Sequence, residues 1–232
     1  MVQLSKIGLA ACLAVMIAGC GGDGDAVTNT PNPRVRFANV MPGIASARAQ
    51  VGPDVISSNI PFGTVSDYAI TPNGTKDLTV GDSTFDNLAT LADQLFELDR
   101  RYTGIGFGTG PRQILLLEEN ESVAPSDTVA LKFVHADQTE GNVDVYVYLD
   151  GASLPAAPSF ANMAPGTIAP AHVDLPVNSD PANVRITVYP AGSTTGALVN
   201  QVVSIPRRDR VAIVFYDTGS NSALLSLKQN LD

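Results

Sequence analysis

FDNLATLADQLFEL, residues 85–98, reads two ways. Phe85, Leu88, Leu91 and Leu95 fall at helical spacing and trace one apolar stripe of an amphipathic helix. A second stretch decides between helix and strand. LVNQVVSIP, residues 198–206, is rich in β-branched residues and ends in Pro206, which is strand composition. The two stretches align. Leu91, Gln94, Leu95, Leu98, Arg100 and Arg101 match Leu198, Gln201, Val202, Ile205, Arg207 and Arg208, all at an offset of 107. Two copies of one fold share their elements, so both stretches are predicted to be strands.

The repeat extends outward from there. Phe37 in RVRFANVMP matches Phe133 in ALKFVHADQ at an offset of 96. Gly63-Thr64-Val65 matches Gly166-Thr167-Ile168 at 103. Ile105 and Phe107 match Ile213 and Phe215 at 108, and Thr109-Gly110 matches Thr218-Gly219 at 109. Each copy closes on an apolar strand, QILLLEE in the first and ALLSLKQ in the second. VDVYVYLDG, residues 143–151, alternates: Val143, Val145, Val147 and Leu149 on one face, Asp144, Tyr146, Tyr148 and Asp150 on the other. That pattern predicts a strand with one face buried and one wet. Turn signals such as PNG (72–74) recur at sandwich spacing. The predicted fold is all-β: two tandem Ig-like β-sandwich domains of about seven strands each, over residues 34–124 and 125–232.

LKFVHA followed by VDVYV, PFGTVSDY before a PNG turn, and RRYTGIGFG before a closing apolar strand together resemble the exported bacterial family catalogued as domain of unknown function 4397. The resemblance runs over residues 34–232. It implies extracytoplasmic, often tandem β-sandwich domains with no established chemistry. The second copy departs from the pattern at RRDRVAIVF, where the Tyr102-Thr103 pair is replaced.

The chain opens with one basic residue in MVQLSK, an apolar run from Ile7 to Met16, and the small-residue ending Ile17-Ala18-Gly19-Cys20. A short apolar run behind a basic start is a secretory signal peptide. It is shorter than the ~20 apolar residues a bilayer span needs. The ending resembles the lipobox of bacterial lipoproteins, which implies cleavage before Cys20 and acylation of its thiol and new amino terminus. Residues 1–19 are thus predicted to be a lipoprotein signal peptide. Residues 20–33, rich in Gly, Asp, Asn and Pro, are predicted to be a flexible tether. The only other cysteine, Cys12, would leave with the signal peptide, so no disulfide can form in the mature chain. Gly21, in place of an Asp, implies the outer membrane by the sorting rule of that family. The expected location is therefore the bacterial cell envelope, with membrane attachment through lipidated Cys20.

A formal net charge of −9 argues against nucleic-acid binding, which needs a basic footprint, and against electrostatic adhesion to anionic lipid. No catalytic constellation emerges. The apolar run into Asp217-Thr218-Gly219-Ser220 reads like the catalytic strand of a pepsin-like protease. Such an enzyme needs a second carboxylate sharing a proton with the first. The first copy offers Gly108-Thr109-Gly110 there, with no acid, so Asp217 is read as a turn residue. His135 and His172 lack the company a zinc site requires. Asp82, Asp86 and Asn87 supply hard oxygens but no complete calcium loop. Phosphate-loop, dinucleotide and nucleophile-elbow motifs are absent from the sequence. No cofactor, metal or enzymatic activity is therefore expected. The tyrosine face of Asp144, Tyr146, Tyr148 and Asp150 is the candidate binding surface for a protein or glycan. The expected role is binding or structural at the envelope. The alternatives are a carbohydrate-binding accessory module or, with less to carry it, an envelope hydrolase. The pairs Arg100-Arg101 and Arg207-Arg208 are read as solvated turn charges balancing local acids.

Overall fold

The computed structural model describes residues 31–84, 86–119 and 123–229. The predicted signal peptide (residues 1–19), Cys20 and the rest of the predicted tether up to residue 30 lie outside them. Among the described residues there are eighteen β-strands and no helix. The first nine are β1 (Arg34–Val40), β2 (Ser46–Val51), β3 (Asp54–Pro61), β4 (Thr64–Val65), β5 (Ala69–Ile70), β6 (Gly74–Asp82), β7 (Asn87–Phe96), β8 (Arg101–Phe107) and β9 (Gln113–Glu118). The second nine are β10 (Thr128–His135), β11 (Val143–Leu149), β12 (Phe160–Met163), β13 (Thr167–Ile168), β14 (Val173–Pro176), β15 (Ala182–Pro190), β16 (Val199–Ile205), β17 (Arg210–Asp217) and β18 (Ser222–Gln229). The ambiguous segment of the first copy is strand β7. Helical spacing loses there because the chain pairs along its length with β6.

Each copy is a two-sheet sandwich with the same topology. One sheet runs β4-β1-β8-β9 with β5 also on β1, and the other β3-β2-β6-β7. The second copy repeats this as β13-β10-β17-β18 with β14 on β10, and β12-β11-β15-β16. β1 pairs with β8 in parallel, as β10 does with β17. Nine strands per copy exceed the expected seven because β4, β5 and β13 are only two residues long, too short for a periodicity to register.

The structural register corrects the sequence alignment in its last third. Phe37 lies opposite Gly104 on β8, whereas Phe133 lies opposite Ile213 on β17. The equivalent of Ile213 is therefore Gly104, and Ile105 and Phe107 correspond to Val214 and Tyr216. The offset is 109, not 108. A one-residue slip sends every side chain to the opposite face, so the correction is physical. In the first copy Gly104 and Gly106 face the ring of Phe37. A Cβ on Gly104 would come within 2.7 Å of both Leu78 and Phe37. In the second copy Phe133 instead stacks on Phe215 and Phe160. Likewise Gly74 opposes Phe96 and Ala182 opposes Ile205. The buried equivalent of Ile205 is Phe96 rather than Leu98, and Arg101 corresponds to Arg210.

Three apolar clusters organise the molecule. Val35, Phe37, Ala49, Leu78 and Phe96 fill the first sandwich. Phe133, Val145, Ile186, Ile213 and Phe215 fill the second. The third joins the two copies: Ala38, Val40, Ile105 and Phe107 pack with Val134, Ala136, Val214 and Tyr216. The sheets containing β1 and β10 are thus covered on both faces. β1 and β8 are accordingly buried from their second residue to their last, polar Arg36, Asn39 and Thr103 included, as expected of strands covered on both sides. Phe62 meets Tyr216 edge-on across the joint, at 5.8 Å between ring centres. The result is a four-layer stack of sheets.

Candidate functional site

The candidate tyrosine face on β11 is half closed. Val143, Val145 and Val147 point into the core as expected, but two of the four residues predicted to be wet are buried. Asp144 is 9% exposed and Tyr146 4%. The Asp144 carboxylate accepts the backbone N–H groups of Asn162 at 2.7 Å and Gly192 at 2.7 Å, tying β12 and the turn after β15 to β11. The Tyr146 ring sits edge-on to Tyr189 on β15. Tyr148 is half-buried and shares a hydrogen bond with Thr187. Asp150 pairs with Arg185. Strict alternation predicts two faces but not the Gly192 N–H that engages Asp144 or the Tyr189 ring set against Tyr146.

Asp217 ends β17, and its carboxylate accepts the N–H of Gly219 at 2.6 Å. Gly219 has φ +90°, the left-handed region that favours glycine. This is a side-chain-closed turn. Asp82 does the same, its Oδ1 accepting from the Thr84 N–H and hydroxyl and from the Asp86 N–H, so this one oxygen of the calcium candidate is engaged in its own loop. Among the described residues no group of three or more His, Cys, Asp or Glu is placed to hold a metal.

His135 is fully buried. Its Nδ1 accepts the N–H of Asp137 and its Nε2 bonds the carbonyl of Gly141 at 3.0 Å. Asn39, its equivalent in the first copy, does the same work: Oδ1 accepts the Met41 N–H, and Nδ2 donates to the carbonyls of Ile44 and Ile60. Both side chains close the loop after the first strand of their sandwich. Burial pushes the His135 imidazole below its usual range, against a smaller upward pull from the Gly141 hydrogen bond and the Asp137 charge. One arginine of each pair meets an acid, Arg100 with Glu118 at 2.8 Å and Arg207 with Asp127 at 2.8 Å, while Arg101 opens β8 rather than lying in the turn.

Two features went unread in the sequence. One is a buried polar cluster. Arg36 pairs with Glu119 at 2.6 Å, donates from Nε to Thr103, and donates across the joint to the carbonyl of Lys228 at 2.8 Å. The Tyr68 hydroxyl donates to Glu119, and the Arg36 guanidinium lies over the Tyr68 ring. Burial, followed by the Glu119 charge, holds the Tyr68 phenol protonated far above its usual range. The signal was Arg36, a charged residue set between Val35 and Phe37 of a core strand.

The other feature is the end of the first sandwich where the chain enters. The Asp99 N–H donates to the Pro31 carbonyl, and the Thr71 N–H to that of Pro33. Pro31, Asn32, Arg34, Asp99, Arg100 and Arg101 line one cleft there of about 220 Å³. Beside it Asn73, Gly74, Leu95, Leu98 and Arg100 help line another of about 410 Å³. Ile70, Leu95 and Leu98 are 68%, 57% and 39% exposed.

Residues 33–146 match the family described as Domain of unknown function (DUF4397), a span that takes in the whole first sandwich and reaches into β11. No curated protein matches the chain in sequence. Among solved structures it is similar to one reported as alpha-glucan binding by a streptococcal virulence factor, at 8% identity, covering 83% of this chain and 96% of that one, with a TM-score of 0.32. It is also similar to family 41 carbohydrate-binding modules from streptococcal virulence factors (10% identity, 81% and 95% covered, TM-score 0.30). A family 26 module of Eubacterium rectale Amy13K in complex with maltoheptaose gives 9%, 83% and 95%, and 0.27. Likenesses this distant carry no argument about the present chain.

Proposed function

We propose that this chain, which belongs to the DUF4397 family through residues 33–146, is a lipid-anchored protein of the bacterial cell envelope with a binding or structural role. The observation that carries the reading is the leader ending Ile17-Ala18-Gly19-Cys20, followed by a Gly- and Pro-rich stretch that enters the fold at one end of the first sandwich. A single acyl chain anchors marginally and two or more anchor stably. A multiply acylated Cys20 would therefore hold the stack at a membrane without a transmembrane helix. Among the described residues no helix is long and apolar enough to cross one.

A binding or structural role fits how the ionisable groups are used. Asp82, His135, Asp144 and Asp217 each satisfy loop backbone, and Arg36 and Glu119 satisfy each other. These are scaffold tasks. The carbohydrate-binding alternative needs an open aromatic platform, and of the four candidate residues only Tyr148 and Asp150 retain exposure.

Membrane fractionation tests the reading. The wild-type protein should sediment with membranes and resist extraction by high salt. The Cys20→Ala variant should be released to the soluble fraction. A variant that still sediments with membranes removes the proposal.

A further inference from the structure

We infer that the entry end of the first sandwich, carrying Ile70, Leu95 and Leu98, rests on the lipid surface to which the chain is tethered. The inference builds on the lipid-anchor reading. The chain emerges at this end, with Pro31 and Pro33 bonded to the 99 and 71 loops. Eleven residue steps separate Cys20 from Pro31, a reach of at most roughly 36–40 Å at full extension. A lipid at Cys20 therefore keeps this end close to the bilayer at high effective concentration, so a weak surface contact suffices to dock it.

The second sandwich is an internal control, because it has the same fold and no anchor at its corresponding end. Ile70 lies opposite Arg34 on β1, and its equivalent opposite Ala130 on β10 is Asp174. Leu95 opposes Thr75 on β6, and its equivalent opposite Asn183 on β15 is Ser204. Leu98 lies between positions that match at the common offset of 109, which places it against Arg207. The fold thus accepts Asp, Ser and Arg at these three places, yet the tethered copy carries Ile, Leu and Leu, all exposed. Solubility alone favours polar residues there, and large exposed apolar side chains grouped on a surface mark an interaction site. Glu97, Asp99 and Glu118 stand among Arg34, Arg100 and Arg101 at this end, three charges of each sign, so net charge does not draw it to lipid. The apolar side chains do, as in interfacial anchoring by Leu-bearing surfaces.

The test uses the full-length lipidated protein in vesicles of phosphatidylethanolamine and phosphatidylglycerol. With Cys20 acylated and Cys12 removed, an introduced cysteine is the only free thiol. A fluorophore goes on Asn73→Cys at the entry end or on Ser83→Cys at the opposite end, and quenching by lipids brominated in the acyl chain is measured. The expected result is strong quenching at the first site and little at the second. Quenching at the first site should fall several-fold when Ile70→Asp, Leu95→Ser and Leu98→Arg are combined, with the thermal transition retained. Equal quenching of the two sites on floating vesicles overturns this inference alone. Failure of the protein to float with vesicles removes the anchor reading and the inference with it.

Discussion

Arg36 and Glu119 form a buried ion pair at 2.6 Å, and the same guanidinium reaches the Lys228 carbonyl of the second sandwich. One arginine thus serves both the interior of the first copy and the joint between copies. Removing one partner leaves an uncompensated buried charge, which costs about 3–5 kcal/mol. Arg36→Met is therefore expected to destabilise the protein by that amount in urea unfolding. Arg36→Met with Glu119→Leu should recover much of the loss, because the stranded charge is gone.

The glycines under Phe37 are the second point of stress. Any side chain at Gly104 meets Leu78 and Phe37 at 2.7 Å, and overpacking of this kind costs about 1–3 kcal/mol. Gly104→Ala should lower the unfolding midpoint accordingly. The residue at the same place in the second copy is Ile213, so Ile213→Ala should destabilise for the opposite reason, a cavity, by about 2–5 kcal/mol.

His135 should make stability pH-dependent. Its folded value lies below the unfolded one, about 6.5, because burial disfavours the charged ring. Its contribution is fully present above the unfolded value and is lost as pH falls through the folded one, since the unfolded chain then binds the extra proton. Asn39 performs the same loop closure without titrating. His135→Asn should therefore flatten the acid limb of stability against pH, measured by denaturant midpoints between neutral and mildly acidic buffers. An unchanged acid limb would assign the dependence to other groups.

The joint between copies predicts cooperative unfolding. Val40, Ile105, Val214 and Tyr216 share one apolar cluster, so wild type should melt in a single transition. Val214→Asp buries a charge there and should split the melt into two transitions or lower it sharply. Asp217→Asn, by contrast, touches only an exposed turn and should shift the midpoint by less than about 1 kcal/mol.

Much of this architecture was legible in the sequence. The repeat identified β7 as strand against its own helical spacing, and the matched triplets at Gly63 and Gly166 are structurally equivalent. Their N–H groups bond the carbonyls of Asn39 and His135, both at 2.8 Å. The register of β8 was misread by one residue because Ile105 and Phe107 match Ile213 and Phe215 equally well by residue type. Only pairing with β1 distinguishes the two faces. The joint between sandwiches was missed because apolar residues on both faces of β1, Val35 and Phe37 on one and Ala38 and Val40 on the other, do not say what covers the second face. The Asp144–Tyr146 face was read as wet because the partners that engage it, Asn162, Gly192 and Tyr189, are distant in sequence. The lipid site rests on sequence alone, since Cys20 precedes the first described residue.

Mass spectrometry of the amino-terminal peptide of the mature protein, purified from bacterial membranes, reads the lipid anchor without intermediaries. The expected chain begins at Cys20 and carries a diacylglyceryl group on the thiol, with a further acyl chain on the amino terminus. An unmodified Cys20, or a chain whose first residue lies elsewhere, would overturn the lipid anchor.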